Sequence, residues 1–206
     1  MTGFVSNGNA TPEALDFVRP HADCYKIDLK TMNDRRYRQL GGVLRNVLDS
    51  IRMVYERGFW LEVLTLIVPG FSSDEGELLA AAEYIASIDR NIPWHVTAFH
   101  EDYKMHGMGN TSARMLVQAC EIGSAAGLNF VYAGNIPGGV GPWENTYCPG
   151  CHTPLIERVG YHIRANRVGA KDECRRCGAR VPGIFTNPRG ASAPSRGHGE
   201  IVPVGI

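Results

Sequence analysis

The chain has 206 residues, which is enough for one domain of about 140 residues and a small additional module. Its 21 basic side chains balance 21 acidic ones, so no charge excess points to nucleic acid or to an anionic membrane. The longest apolar run, residues 63–68, is too short to cross a bilayer, and the amino terminus lacks the features of a signal peptide. We expect a cytoplasmic protein, because four of the six cysteines form close pairs of the kind that bind metal rather than a secreted disulfide framework.

Strand and helix patterns alternate along residues 1–133. Strands are predicted at residues 3–6, 24–29, 59–68, 94–99 and 129–132. Helices are predicted between them, at residues 13–19, from 43 to Gly58, from a capping box at Ser72 and Glu75 to residue 88, and at 112–126. This alternation favours an α/β fold with a parallel sheet and right-handed crossovers.

The composition changes twice after residue 133. Residues 134–146 are rich in glycine and proline and are predicted to be a linker into a four-cysteine module at 147–185. Residues 186–206 consist mostly of Gly, Pro, Ser, Ala and Arg, a composition that predicts a disordered tail.

Two CxxC motifs, Cys148 to Cys151 and Cys174 to Cys177, are the strongest chemical signal in the chain. Each motif turns two sulfurs toward one point, so the pair predicts a tetrahedral four-thiolate metal site in a zinc-ribbon or rubredoxin-like module. Four thiolates suit zinc and also a single iron ion, and the spacing does not choose between them. Two disulfides or four unrelated thiols are the alternatives. Four protein ligands leave no open position, so the predicted role is structural.

Polar residues follow the predicted strands where ligands bind in parallel α/β proteins, beyond the carboxyl ends. Asn7 and Gly8 follow the first strand, Asp28 and Lys30 close the second, and His100 follows the fourth. Asp28 and Lys30 are two residues apart and would point to the same face, where they could hold each other or a zwitterionic ligand. The alternatives are that Asp28 caps a loop while Lys30 reaches solvent, and that His100 is an ordinary loop residue.

Two further polar residues lie inside predicted strands. His95 is more typical of a core histidine with its hydrogen bonds satisfied than of a ligand. Glu62 could face either the interior of a barrel or solvent.

Four short segments at the strand ends resemble the later strands of radical S-adenosylmethionine (SAM) enzymes of the pyruvate formate-lyase-activating type. They are residues 5–8, 27–30, 67–70 and 99–104. Residues 134–138, 144–149 and 155–158 are similar to the radical SAM member of the AmmeMemoRadiSam system. The resemblance extends from about residue 5 to residue 185.

The resemblance implies an open parallel β/α barrel with SAM lying across the strand ends. Lys30 and His100 would contact SAM, Asp28 would organise that site, and Asn7 and Gly8 would line it. A complete enzyme of this kind cleaves SAM reductively with a [4Fe-4S] cluster. The resulting 5′-deoxyadenosyl radical takes a hydrogen atom from a substrate or a partner protein.

The sequence departs from this family in one respect. No CxxxCxxC motif occurs in the 206 residues, so the thiolates that hold the cluster are missing. We therefore interpret the chain as the C-terminal part of a radical SAM enzyme, whose barrel lacks its first units. Two other hypotheses remain: a non-enzymatic α/β domain whose ribbon binds a protein, and a small enzyme that uses Asp28 and His100 as an acid–base pair.

Overall fold

The computed structural model describes residues 1–185, so the predicted disordered tail lies outside the described residues. Five parallel strands form one sheet in the order β1-β2-β3-β4-β5. They are β1 Gly3–Ser6, β2 Cys24–Asp28, β3 Trp60–Ile67, β4 Trp94–Ala98 and β5 Val131–Gly134. The prediction of an α/β fold with a parallel sheet is confirmed. Within residues 1–185, the outer edges of β1 and β5 pair with no further strand, so the sheet is open.

Five helices connect and follow these strands. They are α1 Pro12–Val18, α2 Asp34–Gln39, α3 Leu44–Glu56, α4 Glu75–Ile88 and α5 Ala113–Ala125. Because neighbouring parallel strands follow each other in sequence, right-handed crossovers place the connecting helices on one face of the sheet. None of the helices in the described part of the chain is both long and apolar enough to cross a membrane.

The predicted capping box at Ser72 is wrong. Asp74 caps α4 instead, and its carboxylate accepts the N–H of Glu77 at 3.0 Å. The Ser72 hydroxyl is buried, where it accepts the N–H of Val68 at 2.9 Å and donates to the carbonyl of Leu66 at 2.6 Å. A hydroxyl occupied in this way cannot cap a helix.

Side chains alternate between the two faces of the sheet. One face is packed under the helices, with Ile27, Val63 and Val96 fully buried. We call the other the open face. Its half-buried or buried residues include Lys26, Asp28, Glu62, Leu64, His95, Thr97 and Tyr132.

A second, antiparallel sheet follows. It consists of β6 Thr146–Tyr147, β7 Pro154–Val159 and β8 His162–Asn166, and a 3₁₀ turn, Gly141–Glu144, leads into it. We call residues 147–185 the ribbon. Its core contains only Leu155 and Val181 beside the buried Cys148 and Cys174. So small an apolar core indicates that a bound metal ion would supply much of the folding energy.

Candidate functional site

Asp28 and Lys30 meet at the carboxyl end of β2. The Lys30 Nζ lies 3.0 Å from Asp28 Oδ2, so the two side chains form an ion pair. Behind them the buried Tyr37 hydroxyl accepts the N–H of Lys30 at 3.1 Å and donates to the carbonyl of Asp28 at 3.2 Å. Burial raises the pKa of Tyr37.

Asn7 and Gly8 form the tight turn after β1. Gly8 has a φ of +78°, and a Cβ atom there would lie 2.7 Å from Val47 Cγ1 and 2.9 Å from Ile27 Cγ2. Both the backbone conformation and the available space therefore require glycine. Asn7 and Lys30 line a small pocket of about 180 Å³ beside α2.

His100 lies apart from this pocket. It is exposed just after β4, and it lines a cleft of about 630 Å³ over β4 and β5. Asp28 contacts Lys30 rather than His100, so the structure does not join Asp28 and His100 as an acid–base pair. All five predicted residues, Asn7, Gly8, Asp28, Lys30 and His100, lie at the carboxyl edge of the sheet. Of these, Asn7 and Lys30 line the small pocket, and His100 lines the cleft.

The open face carries a polar cluster that sequence reasoning missed. His95 Nε2 lies 3.0 Å from Glu62 Oε2, an ion-pair separation in which the N–H direction is poor for a hydrogen bond. The His95 ring stacks on Tyr132, with centroids 5.2 Å apart. Glu62 therefore lies on the open face, and His95 is part of a polar cluster rather than an apolar core.

Glu62 stays ionised in this cluster. Burial alone would raise its pKa, but His95, the indole N–H of Trp60 at 3.1 Å and the nearby Lys26 outweigh burial and lower the pKa. Lys26 is the register partner of Glu62 on β2. Lys26 lies two residues before Asp28 on β2, and this spacing was the signal in the sequence that could have placed Lys26 on the same face as Asp28.

The ribbon supplies one wall of the 630 Å³ cleft. Arg158 of β7 packs its guanidinium over the Tyr132 ring, 5.0 Å from the centroid. Its Nη2 donates to Thr146 Oγ1 at 3.2 Å, and the same Thr146 oxygen lies 3.0 Å from the Tyr132 hydroxyl. The ribbon and the open face thus share one polar surface.

The four cysteines of the two CxxC motifs converge. Their sulfur atoms all lie within 4.8 Å of one another, and the closest pairs are Cys148 with Cys177 at 3.6 Å and Cys151 with Cys174 at 3.7 Å. A tetrahedral ion with metal–sulfur bonds of about 2.3 Å would place its sulfurs about 3.8 Å apart. None of the six cysteines forms a disulfide in residues 1–185. The geometry therefore fits a single bound metal ion.

The two halves of this site have the same turn. The backbone N–H of His152 bonds to the Cys148 carbonyl at 2.9 Å, and that of Gly178 bonds to Cys174 at 2.8 Å. His152 and Gly178 both have positive φ, at +53° and +75°. Gly178 adopts the positive φ of its turn without the strain that a Cβ atom would cause, whereas Gly150 has no positive φ. Glycine is needed there because a Cβ would lie 3.1 Å from Ala179 Cβ and 3.6 Å from the sulfur of Cys177.

The protein environment favours a thiolate at Cys151 but not at Cys177. At Cys177 the Ala179 backbone lowers the pKa, and the neighbouring Cys151 and Cys148 sulfurs outweigh it and raise the pKa to about 12. The Thr153 hydroxyl and backbone lower the pKa of Cys151 to about 6. Since metals bind the deprotonated sulfur, a thiolate available near neutral pH favours metal binding.

The fold and the cysteine site together define a parallel α/β protein with a four-cysteine, metal-binding module. No protein-family model matches the chain. The chain is 31% identical over 179 residues to the uncharacterized protein MJ0808 of Methanocaldococcus jannaschii, a match that covers 86% of this chain and 53% of that protein.

Pyruvate formate-lyase-activating enzyme is also a relative. The Staphylococcus aureus (strain USA300) enzyme is 23% identical over 100 residues, which cover 48% of this chain and 40% of the enzyme. The crystal structure of a domain of the Bacteroides vulgatus enzyme superimposes with a TM-score of 0.58 at 23% identity, over 65% of this chain and 80% of that domain. The chain is thus distantly homologous to pyruvate formate-lyase-activating enzyme and shares its fold. It spans about half the length, or less, of the curated relatives it matches.

Proposed function

We propose that the chain is the C-terminal portion of a radical SAM enzyme of the activating type, related to the AmmeMemoRadiSam member. The complete enzyme would cleave SAM reductively to generate a 5′-deoxyadenosyl radical. The hydrogen donor would be a substrate or a partner protein.

The observation that carries this proposal is the Asp28–Lys30 pair at the carboxyl edge of a parallel sheet with the activating-enzyme fold. Lys30 and His100 would contact SAM, Asp28 would hold Lys30 in place, and Asn7 and Gly8 would line the site. Carboxyl edges of parallel strands are where such folds bind small molecules.

The residues of this chain do not fit a [4Fe-4S] cluster that cleaves SAM. The sequence has no CxxxCxxC, Cys120 is fully buried on α5, and the ribbon sulfurs are spaced for one ion. The proposal therefore places the cluster ligands outside these 206 residues, and no step of the reaction is assigned to the ribbon. The ribbon metal, zinc or a single iron, would be structural.

Equilibrium binding of SAM to the purified chain tests this proposal. We expect saturable binding that Lys30→Gln and His100→Ala each weaken. Lys171→Gln removes the same charge from an exposed ribbon position and should leave binding unchanged. Absence of saturable SAM binding, or equal losses in all three variants, would favour the alternative of a non-enzymatic domain whose ribbon binds a protein.

A further inference from the structure

The cleft over β4 and β5 has a charge pattern that the proposed SAM contacts do not use. Two cations line it, Lys26 from β2 and Arg158 from β7 of the ribbon. Across the described ranges neither has a carboxylate oxygen within 4.0 Å. The cleft measures about 630 Å³, within the size range of small-molecule sites.

The acidic groups near these cations are already engaged. Glu144 lines the cleft, but its two carboxylate oxygens accept the amides of Gly138 and Gly160 at 2.6 and 2.5 Å. Glu62 is held by His95 and by the Trp60 indole. Asp28, two residues after Lys26 on β2, forms an ion pair with Lys30. An anion in the cleft would therefore meet cations whose charge is only partly offset.

Two contacts hold the guanidinium of Arg158 in one orientation beside the cleft. Stacking on Tyr132 and the bond from Nη2 to Thr146 hold its plane. Its Nη1 donates to no protein acceptor within residues 1–185, and its buried Nε has no partner either. Buried donors without acceptors are rare and costly, and the free Nη1 of a guanidinium can donate charge-assisted hydrogen bonds to an oxyanion.

We propose that Arg158 and Lys26 bind a carboxylate or phosphate group of a small-molecule substrate in this cleft. The inference deepens the proposed function and rests on it, since it assigns a substrate class to the side of the sheet next to the SAM contacts. The ribbon then has a second role: it presents Arg158 to the open face, in addition to being stabilised by its metal.

Titration of the full, metal-loaded chain with two probes tests the assignment. Sodium succinate and inorganic phosphate are added separately at constant ionic strength, and binding is followed by calorimetry and by amide shifts of residues around His95 and Tyr132. Saturation by succinate alone assigns a carboxylate, and saturation by phosphate alone assigns a phosphate. Saturation by both supports the shared oxyanion chemistry.

Variants connect the binding to the two cations. Arg158→Gln should weaken it by about tenfold or more, because a hydrogen-bonded charge pair is lost. Arg164→Gln removes the same charge from an exposed position on β8 and should have no effect. Lys26→Gln should also weaken binding. Because this change breaks no hydrogen bond of the fold, it tests the inference even if Arg158→Gln misfolds. No saturation by either probe, or equal affinity in Arg158→Gln and Arg164→Gln, would overturn the inference. The titration needs no SAM, so its failure and the failure of SAM binding are separate results.

Discussion

Glu144 Oε2 accepts the backbone N–H of Gly160 at 2.5 Å, which ties the 3₁₀ turn to the β7–β8 turn of the ribbon. The other oxygen accepts the N–H of Gly138 at 2.6 Å, and the residue is only 6% exposed. A single buried carboxylate thus joins the end of the parallel sheet to the ribbon. The wall that carries Arg158 depends on this junction, because Arg158 is two residues before Gly160.

Glu144→Gln should therefore loosen the junction. The amide NH₂ faces an N–H donor where an oxygen is needed, so we expect a loss of about 1–3 kcal/mol in the free energy of unfolding. Chemical denaturation measures it. Glu157→Gln is the matched control, because its ion pair with Arg167 is on the surface of the same hairpin and should contribute at most about 1 kcal/mol. Equal losses in both variants would contradict the role given to Glu144.

Loss of one ribbon thiolate should release the metal. Cys148→Ser or Cys174→Ser removes a buried ligand of the four-sulfur site, and the small ribbon core cannot compensate. We expect less than one bound ion per chain by elemental analysis and loss of the amide dispersion of residues 147–185. Cys24→Ser, on β2 and outside the cluster, should keep full metal content. The same measurement on the unmodified chain identifies the ion as zinc or iron.

Gly8→Ala tests the turn after β1. Its Cβ would overlap Val47 and Ile27, and its φ of +78° is unfavourable for alanine. Gly70→Ala, at φ +72° with no atom within 4 Å of the added Cβ, imposes the backbone strain alone. We expect Gly8→Ala to destabilise the protein by about 1–3 kcal/mol more than Gly70→Ala. Similar melting temperatures for the two variants would show that the turn has more room than the structure indicates.

The parallel sheet and the four-cysteine site could be predicted because each depends on a local sequence pattern. For the sheet it is the alternation of strand and helix segments, and for the metal site it is the two CxxC motifs. The short helix α2 escaped prediction, since residues 34–39 contain no apolar period. Its position depends on tertiary contacts, such as the 2.7 Å ion pair between Arg36 and Glu77. The prediction of a cap at Ser72 was wrong for a related reason. Its hydroxyl accepts the N–H of Val68, just after β3, instead of an N–H at the start of α4.

The polar cluster of the open face was beyond sequence reasoning for a geometric reason. His95 is paired with Leu64 and Tyr132 by the register of the sheet. Glu62, two residues before Leu64 on β3, contacts the His95 ring with its carboxylate. Arg158 joins from a strand of another sheet, 26 positions along the chain from Tyr132. The alternation of residues along one strand indicates which face of the sheet a side chain is on, but it does not indicate which residues of neighbouring strands that side chain contacts.

The pH dependence of stability should reveal the Glu62–His95 contact. The folded-state pKa of Glu62 is lowered, so its stabilising contribution is present above the unfolded value of 4.5 and is lost as pH falls through the folded value. The difference in melting temperature between the unmodified chain and Glu62→Gln should therefore shrink below pH 4.5. Glu83→Gln, an exposed position on α4, should show no such trend. A constant difference across this range would mean that the contact does not stabilise the ionised carboxylate.

The isolated chain should not form 5′-deoxyadenosine from SAM under anaerobic, reducing conditions. Radical cleavage needs a cluster held by three thiolates with one open iron, and this sequence has no CxxxCxxC motif. A purified pyruvate formate-lyase-activating enzyme, assayed by liquid chromatography in parallel, shows that the conditions support the reaction. Product formation by this chain, abolished by Cys148→Ser, would mean that the ribbon holds a redox-active centre. It would also overturn the assignment of the cluster ligands to residues outside these 206. Absence of product together with saturable SAM binding is the result that the proposed function requires.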